Sequence, residues 1–193
     1  MSGEGASAEK ARLRGEMKAL RAACKDRPLR DDEICRHFFS VPKIVGADSF
    51  FVYNALAGEA ATGNILARLL AENKKVYLPR TECKEMFAVR WEGQALQKGA
   101  FGIYEPGGEP FFGEIDVCVL PLLAADGQFY RLGYGGGYYD RFLSGKNIFK
   151  VGLCYDFQLT GRVPHEPHDI RLDALVTDKR ILLRGPKEET WQI

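Results

Sequence analysis

The sequence lacks the features that mark exported and membrane proteins. Its first residues, Met1 to Ala8, are small and polar and contain no apolar segment of the kind found in signal peptides. No apolar run approaches the roughly 20 residues that a membrane-spanning helix needs. The cysteines number five, an odd count, and form no CxxC pair, which argues against a zinc site and a disulfide framework. We therefore expect a cytoplasmic protein in a reducing compartment, with no membrane contact.

An excess of charge of either sign is also absent. The chain has 27 basic and 26 acidic side chains, a net charge of +1, so no overall field attracts nucleic acid or anionic lipid. Any phosphate-binding site must be local. With 193 residues, 46% of them hydrophobic, and no repeats or long linker, the chain can bury one core. We expect a monomer with a single domain over residues 1–193, of which residues 1–7 form a flexible tail.

Helical and strand patterns alternate along the chain. Apolar residues at helical spacing predict a first helix from about residue 7 to 25, with Leu13, Met17, Leu20 and Cys24 facing inward. Pro28 opens a second predicted helix that buries Ile34 and Phe38, and Thr62 is a plausible N-cap for a third. The other predicted segments are strands at 49–53, 75–78 (ending at Pro79), 115–120, 148–155, 174–177 and 181–183, short strands with loops at 86–112, and a helix at 138–143.

This alternation predicts an α/β fold. We expect a single open, mostly parallel sheet with helices on both faces, because the apolar strand at 115–120 has the composition of a strand covered on both sides. In such sheets ligands bind outside the carboxyl ends of the strands.

The most informative segment follows that apolar strand. It reads Arg131-Leu132-Gly133-Tyr134-Gly135-Gly136-Gly137-Tyr138-Tyr139-Asp140-Arg141. Dense glycines let the main chain approach a ligand closely, although the segment matches neither the P-loop nor the GxGxxG pattern. Exposed backbone N–H groups leading into a helix bind anions, and Arg131 can grip a phosphate with two hydrogen bonds. The segment predicts a site for a nucleotide triphosphate. The alternative is a glycine-rich hairpin whose tyrosines pack.

Two aspartates suggest a metal ion beside the phosphates. A carboxylate at Asp140 would repel phosphate unless a cation lay between them, so the loop indicates magnesium with nucleotide. Its alternative role is that of a favourable acid in the first turn of a helix. Asp169 is a second candidate magnesium ligand, or else an ordinary turn residue.

Other candidate ligands are less distinctive. Lys10 and Arg14 lie one helical turn apart, so both can reach one triphosphate, or they belong to a solvated helix face. Glu59 can accept hydrogen bonds from the amino group of a heterocycle, although most loop glutamates have no such role. Aromatic rings at Tyr53, Phe101 and Tyr139 can stack on a flat substrate or simply pack in the core.

Taken together, these residues resemble the 5-formyltetrahydrofolate cyclo-ligase family. The glycine segment with its preceding Arg-Leu-Gly is highly specific to that family, and weaker matches extend the likeness over nearly the whole chain. The matching positions are Lys10, Arg14, Gly58-Glu59, Thr62, Leu78-Pro79-Arg80, Gly99-Ala100-Phe101-Gly102-Ile103, Glu105-Pro106, Leu120-Pro121, Asp126, Arg131 to Leu143, Gly152, Gln158, Pro164, His168-Asp169 and Val176-Thr177.

The resemblance implies an ATP- and magnesium-dependent enzyme. Its substrate would be 5-formyltetrahydrofolate, and its products 5,10-methenyltetrahydrofolate, ADP and phosphate, by phosphorylation of the formyl oxygen and ring closure by the 10-nitrogen. It also implies a three-layer fold like that of sugar isomerases and CoA transferases. By position, ATP would be held by Lys10, Arg14, Arg131, Leu132, Gly133, Tyr134, Gly135, Gly136, Gly137, Tyr138 and Tyr139, the folate by Tyr53, Asn54, Glu59, Phe101 and residues 134–138, and magnesium by Asp140 and Asp169.

The chain departs from the family pattern at three positions. The family usually has Phe at Ala125 and Gly at Phe129, and many members have Lys at Gly136, so one phosphate contact differs here. Two other functions remain open at this point. One is an ATP-binding regulatory module on the same scaffold without folate turnover. The other is an enzyme of the sugar-isomerase or CoA-transferase type acting on another small substrate.

Overall fold

A computed structural model of the chain describes residues 3–99, 102–166, 169–185 and 190–192. In this part of the chain the helices are α1 (Gly3–Ala23), α2 (Arg27–Phe38), α3 (Pro42–Val45), α4 (Gly63–Ala71) and α5 (Tyr138–Leu143). The strands are β1 (Ser49–Val52), β2 (Lys75–Glu82), β3 (Glu85–Arg90), β4 (Gln97–Lys98), β5 (Tyr104–Glu105), β6 (Pro110–Phe111), β7 (Val117–Pro121), β8 (Ala124–Asp126), β9 (Arg131–Leu132), β10 (Phe149–Leu153), β11 (Leu159–Thr160), β12 (Ala174–Val176), β13 (Ile181–Arg184) and β14 (Thr190–Gln192).

A central sheet organises the fold. Its nine strands follow the order β14-β13-β12-β10-β7-β1-β2-β3-β6. The five strands from β12 to β2 are parallel to one another, and antiparallel strands extend both edges. The predicted α/β fold with an open, mostly parallel sheet is confirmed. Two smaller sheets, β11-β8-β9 and β4-β5, lie beside it.

Both faces of the central sheet are covered. On one face the helices α2, α3 and α4 bury a core that includes Ile34, Phe38, Ile44, Ile65 and Leu69. On the other face α5 and neighbouring loops cover Phe51, Cys118, Leu120 and Leu175, with Leu143 and Phe142 of α5 packed against them. Burial of each such side chain stabilises the fold by about 1.5–3 kcal/mol. The central strands therefore carry nearly continuous apolar sequence, as a sheet covered on both sides requires.

The first helix differs from its predicted form. It begins at Gly3, within the predicted flexible tail, and it ends at Ala23, before Cys24. Leu13 and Met17 are buried as predicted, where they pack on the small sheet through Leu123, Ala124, Leu132 and Val163. Leu20, however, is 47% exposed, and Arg21 beside it is only 5% exposed. The third inward position of this helix is thus an arginine, and the reason lies in its hydrogen bonds, described below.

Strand β2 continues past the predicted stop at Pro79. The proline sits opposite Ala88 of β3, beyond Tyr77, the last residue of β2 paired with β1. Proline lacks an N–H group, which a strand tolerates where no neighbour needs that donor. β2 therefore extends as one arm of a hairpin with β3, and this hairpin forms one wall beside the carboxyl ends of the parallel strands.

The small sheet positions the glycine segment. Asp126 is 1% exposed, and its carboxylate accepts hydrogen bonds from the backbone N–H groups of Gln128, Tyr130 and Val163. The bonds from Gln128 and Tyr130 close the turn between β8 and β9, and the bond from Val163 ties the segment after β11 to that turn. Strand β9 leads directly into the glycines. The predicted strand–loop–helix–strand unit is present as β7, the loop, α5 and β10. No helix in the described ranges is long and apolar enough to cross a membrane.

Candidate functional site

A cleft of about 670 Å³ opens at the carboxyl ends of β1 and β7. Helix α1, the glycine segment, the end of the β2–β3 hairpin and the segment before β12 form its walls. The structure brings together nearly all of the predicted site residues here. Phe101 lies outside the described residues. Those that line the cleft are Lys10, Arg14, Tyr53, Asn54, Glu59, Arg131, Leu132, Gly133, Tyr134, Gly135, Gly136, Gly137, Tyr138, Tyr139, Asp140 and Asp169.

The glycine segment lies against Arg14. The Nε of Arg14 donates a hydrogen bond of 2.9 Å to the carbonyl oxygen of Gly133. Gly135 has φ +103°, and a Cβ there would lie 3.3 Å from the Arg14 guanidinium. Side chains rarely adopt such a backbone conformation, so glycine is required at this point. Gly137, with φ +65°, then caps α5. The loop presents bare main chain to the cleft beside a cation, which is the arrangement that anionic ligands need.

Arg131 and Asp140 form an ion pair at the base of this loop. An Nη atom of Arg131 lies 3.0 Å from the Asp140 carboxylate, and the arginine side chain is only 6% exposed. Its buried Nε has no hydrogen-bond acceptor within the described part of the chain. A buried donor without a partner is costly, unless a ligand satisfies it. The guanidinium is therefore suited to hold an anionic ligand in the cleft.

Lys10 and Asp169 form a second ion pair across the cleft. The Lys10 amine lies 3.3 Å from the Asp169 carboxylate, which also accepts a 2.8 Å hydrogen bond from the Glu166 N–H. Asp140 is close to this pair, because its carboxylate lies 3.4 Å from the N–H of Ile170. Two of the predicted cations are thus neutralised by the two predicted metal ligands.

The carboxylates suit magnesium held together with phosphates. In the described ranges no group of three or more His, Cys, Asp or Glu residues could hold a metal ion. Magnesium keeps several waters and typically takes only one or two carboxylates together with substrate phosphates, so the Asp140 and Asp169 oxygens fit that ion. His165 instead stacks on the Tyr130 ring, with 3.6 Å between ring centroids.

A hydrogen-bond network surrounds Glu59 at the other side of the cleft. Glu59 is buried, and its carboxylate accepts a 2.7 Å hydrogen bond from the N–H of Leu56. The Tyr134 hydroxyl lies near the Glu59 carboxylate, and it accepts a bond of 2.7 Å from Arg21. Burial and the nearby Glu59 charge raise the pKa of Tyr134 to about 12, although Arg21 opposes this shift. The phenol stays protonated at neutral pH.

The remaining predicted folate contacts have structural partners. The Tyr53 hydroxyl donates to the Ala60 carbonyl at 2.7 Å, and the Asn54 amide donates to the Tyr104 carbonyl at 3.0 Å. Tyr139 packs against Phe51, with ring centroids 6.2 Å apart. These side chains are fixed in place at the edge of the cleft. Whether each contacts substrate stays a prediction.

Sequence reasoning missed Arg21, whose guanidinium joins this network. Leu13, Met17 and Arg21 recur at helical spacing and so share one face of α1, but a search for apolar residues passes over an arginine. Several further residues also line the cleft and were not predicted as ligands. They are Leu56, Pro79, Thr81, Met86, Ile103, Glu105, Pro121, Arg141 and Glu166.

A family model, curated proteins and a solved structure all place the chain's similarity in one family. The model of the 5-formyltetrahydrofolate cyclo-ligase family matches residues 6–178. The chain is 30% identical to the 5-formyltetrahydrofolate cyclo-ligase of Haemophilus influenzae, over 85% of this chain and 95% of that protein. It is 32% identical to the Escherichia coli (strain K12) enzyme of the same name, over 72% of this chain and 83% of that protein. The NMR structure of Aquifex aeolicus 5,10-methenyltetrahydrofolate synthetase superposes with a TM-score of 0.81 at 32% identity, covering 93% of this chain and 96% of that one.

Proposed function

The chain belongs to the 5-formyltetrahydrofolate cyclo-ligase family, and we propose that it couples cleavage of ATP to ring closure of 5-formyltetrahydrofolate in the cleft at the carboxyl ends of β1 and β7. It is a ligase of folate one-carbon metabolism, and the family implies ATP use. Magnesium dependence, the order of bond changes and the role of each residue are parts of the proposal. We also propose that residues 1–193 form one domain and that the protein acts as a monomer on small molecules, without nucleic acid.

One observation carries the assignment of ATP to the glycine segment. The buried Nε of Arg131 lacks an acceptor among the described residues, and it stands beside a loop whose glycines leave the main chain open. Lys10 and Arg14 face the same cleft from α1. A triphosphate would accept a hydrogen bond from the Arg131 Nε and further hydrogen bonds from the backbone N–H groups of residues 134–137.

The proposed chemistry activates a poor leaving group. The formyl oxygen attacks the γ-phosphorus of ATP in line, the bond to the bridging oxygen breaks, and ADP leaves. The formyl carbon is then part of an iminium phosphate. The 10-nitrogen adds to this carbon and loses its proton, the carbon–oxygen bond breaks, and inorganic phosphate departs with the former formyl oxygen. Such a reaction asks the protein mainly for positioning and neutralisation of charge.

Each side of the cleft has a distinct task in this scheme. Lys10, Arg14 and Arg131 bind phosphate oxygens and offset the negative charge that builds up as the phosphoryl group moves. Asp140 and Asp169 hold magnesium, which when bound screens the phosphates and orients them. Glu59 accepts hydrogen bonds from the amino group of the pterin, and the aromatic residues at the edge of the cleft exclude water.

Arg141 supplies a positive charge beside Gly136, where many family members have a lysine. Its Nη1 donates a 2.9 Å hydrogen bond to the Gly136 carbonyl, and the side chain lines the cleft. A Cβ on Gly137 would lie 2.8 Å from the same nitrogen, so the guanidinium is held closely against the loop. We assign to Arg141 the phosphate contact that a lysine at position 136 would make.

A direct assay tests the proposed function. Purified protein is mixed with ATP, magnesium and 5-formyltetrahydrofolate, and the chromophore of the methenyl product is followed together with folate-dependent release of phosphate. We expect one phosphate per methenyl product and loss of both signals on chelation of magnesium. ATP binding without any chromophore would favour the regulatory module. Turnover that does not need ATP would overturn the proposal.

A further inference from the structure

Arg21 connects two loops that belong to different halves of the cleft. Its side chain comes from α1, and its Nε donates a hydrogen bond to the carbonyl oxygen of Gly58, in the loop after β1. Its Nη1 donates to the hydroxyl of Tyr134, in the glycine segment, at 2.7 Å. Gly58 has φ +94°, and a Cβ there would lie 3.2 Å from the Arg21 guanidinium. The two loops are thus held by one rigid, planar group.

Tyr134 in turn lies near Glu59. Arg21 donates a hydrogen bond to the Tyr134 oxygen, and the Glu59 charge acts on the same hydroxyl and raises its pKa. Tyr134 as a whole residue is 44% exposed, although its hydroxyl is held by Arg21. The next residue, Gly135, lies against Arg14. Any ligand that fixes the glycine segment therefore also fixes Tyr134, which lies near Glu59.

We propose that Arg21 is a positioning residue that couples the two substrate subsites, so that nucleotide in the glycine segment raises the affinity of the Glu59 side for folate. By thermodynamic linkage, folate raises nucleotide affinity by the same factor. This inference rests on the proposed function. Its physical basis is that the buried guanidinium cannot keep both acceptors satisfied unless Gly58 and Tyr134 keep their relative position.

Titration calorimetry measures this coupling. The dissociation constant of 5-formyltetrahydrofolate is determined with and without a non-hydrolysable ATP analogue and magnesium. In the wild-type protein we expect the analogue to tighten folate binding by about 5-fold or more. The ratio of the folate dissociation constant without the analogue to that with it measures the coupling. In Arg21→Gln and in Tyr134→Phe we expect this ratio to fall close to one. At saturation kcat should change less than KM for the folate, because Arg21 is not among the residues that line the cleft and Tyr134→Phe keeps the backbone N–H groups proposed to bind phosphate.

A matched control lies on the same helix. Arg12 is exposed and, among the described residues, pairs with Glu16 one turn later, so Arg12→Gln should keep the wild-type ratio of folate dissociation constants. Thermal melts report folding of each variant. If Arg21→Gln does not fold, Tyr134→Phe decides, because it keeps the bond from Arg21 to Gly58.

Each outcome discriminates. Wild-type coupling that persists in the Arg21 and Tyr134 variants overturns the inference, as does an equal loss in Arg12→Gln. A wild-type ratio of one with normal turnover also overturns it, and leaves the proposed function standing. Absence of folate binding and turnover in the wild-type protein would instead refute the proposed function.

Discussion

Lys10 and Asp169 lie 159 positions apart in the chain, and their 3.3 Å ion pair joins the first helix to the segment before β12. The other ion pair of the cleft, between Arg131 and Asp140, lies at the base of the glycine segment. The free protein therefore pairs two proposed phosphate ligands with the two proposed magnesium ligands. Magnesium and nucleotide together can replace both partners at once, since the ion takes the carboxylates and the phosphates take the cations.

Asp140→Asn tests the carboxylate in that exchange. Loss of one magnesium ligand should lower kcat on the order of 10²-fold and raise the magnesium concentration needed for half-maximal rate. Because Arg131 loses its partner, ATP without magnesium should bind at least as tightly as to the wild-type protein. Steady-state rates over a magnesium titration measure the first effect, and calorimetry the second. Asp48→Asn, at an exposed carboxylate paired with Lys74, is the control. Turnover near normal with unchanged magnesium dependence would count against the assigned role.

Gly135→Val tests the glycine segment itself. A side chain at this position would occupy space beside Arg14, and it would force a residue with a branched Cβ to adopt φ +103°. We expect a marked loss of ATP affinity, measured by calorimetry. Gly161→Val is the control, because Gly161 has open space around it and no positive φ in the range that glycine favours. Equal ATP affinity in the wild type and Gly135→Val would be incompatible with phosphate binding at this loop.

The fold and the site were predictable to different extents. Repeating apolar positions identified α2 and α4 correctly, and Ile34 and Phe38 are buried as predicted. The glycine segment could be found because its composition has few other uses. Residues fixed by distant partners could not be found in this way. Arg21 is inward because of Gly58 and Tyr134, and Pro79 is tolerated because β1 ends beside it. Both depend on contacts that local sequence does not contain.

The small sheet was missed for a similar reason. Its strands β8, β9 and β11 have two or three residues each, too short for a periodic pattern. The buried carboxylate of Asp126 organises it through three backbone N–H groups. A lone aspartate in a turn gives no sign of this in the sequence, since aspartates are common in ordinary turns.

The cysteines should differ sharply in reactivity. Burial raises the pKa of Cys118 to about 12, and burial also raises the pKa of Cys154. Because the thiolate is the reactive form, neither should react with a thiol reagent in the native protein at mildly alkaline pH. Cys83 is exposed and should react first. Mass spectrometry after timed labelling checks the order, and Cys83→Ser should remove the fast phase. Labelling of Cys118 or Cys154 before unfolding would contradict the buried positions.

Asp156 should make stability depend on pH in acid. Hydrogen bonds from Arg180 lower the pKa of Asp156 below its ordinary value of 3.8. A lowered pKa in the folded state means that the contribution to stability is complete above the ordinary pKa and is lost as pH falls through the folded one. Asp156→Asn should therefore cost about 1–2 kcal/mol at neutral pH, and less below about pH 4.

Denaturant unfolding at several pH values measures this difference. Glu72→Gln provides the control, because Glu72 forms an exposed pair with Arg68. This substitution should change the free energy of unfolding by less than about 0.5 kcal/mol. A cost for Asp156→Asn that stays constant from neutral pH into strong acid would show that the ion pair does not contribute as described.

The charge at Arg141 should be exchangeable with the lysine that many family members carry at position 136. Arg141→Ala removes a cation that touches the Gly136 carbonyl, and we expect ATP to bind about 10-fold more weakly, in line with loss of a hydrogen bond to a charged group. Adding Gly136→Lys to that variant should restore most of the affinity, because the new amine approaches the phosphates from the same loop. A Cβ at Gly136 would lie 2.8 Å from the Tyr138 ring, so that ring must shift. Gly136→Ala on the Arg141→Ala background introduces the same Cβ without the charge and should restore nothing. Equal recovery with alanine and lysine would mean that Arg141 acts on the shape of the loop, and no recovery with either would mean that the two positions do not share one contact.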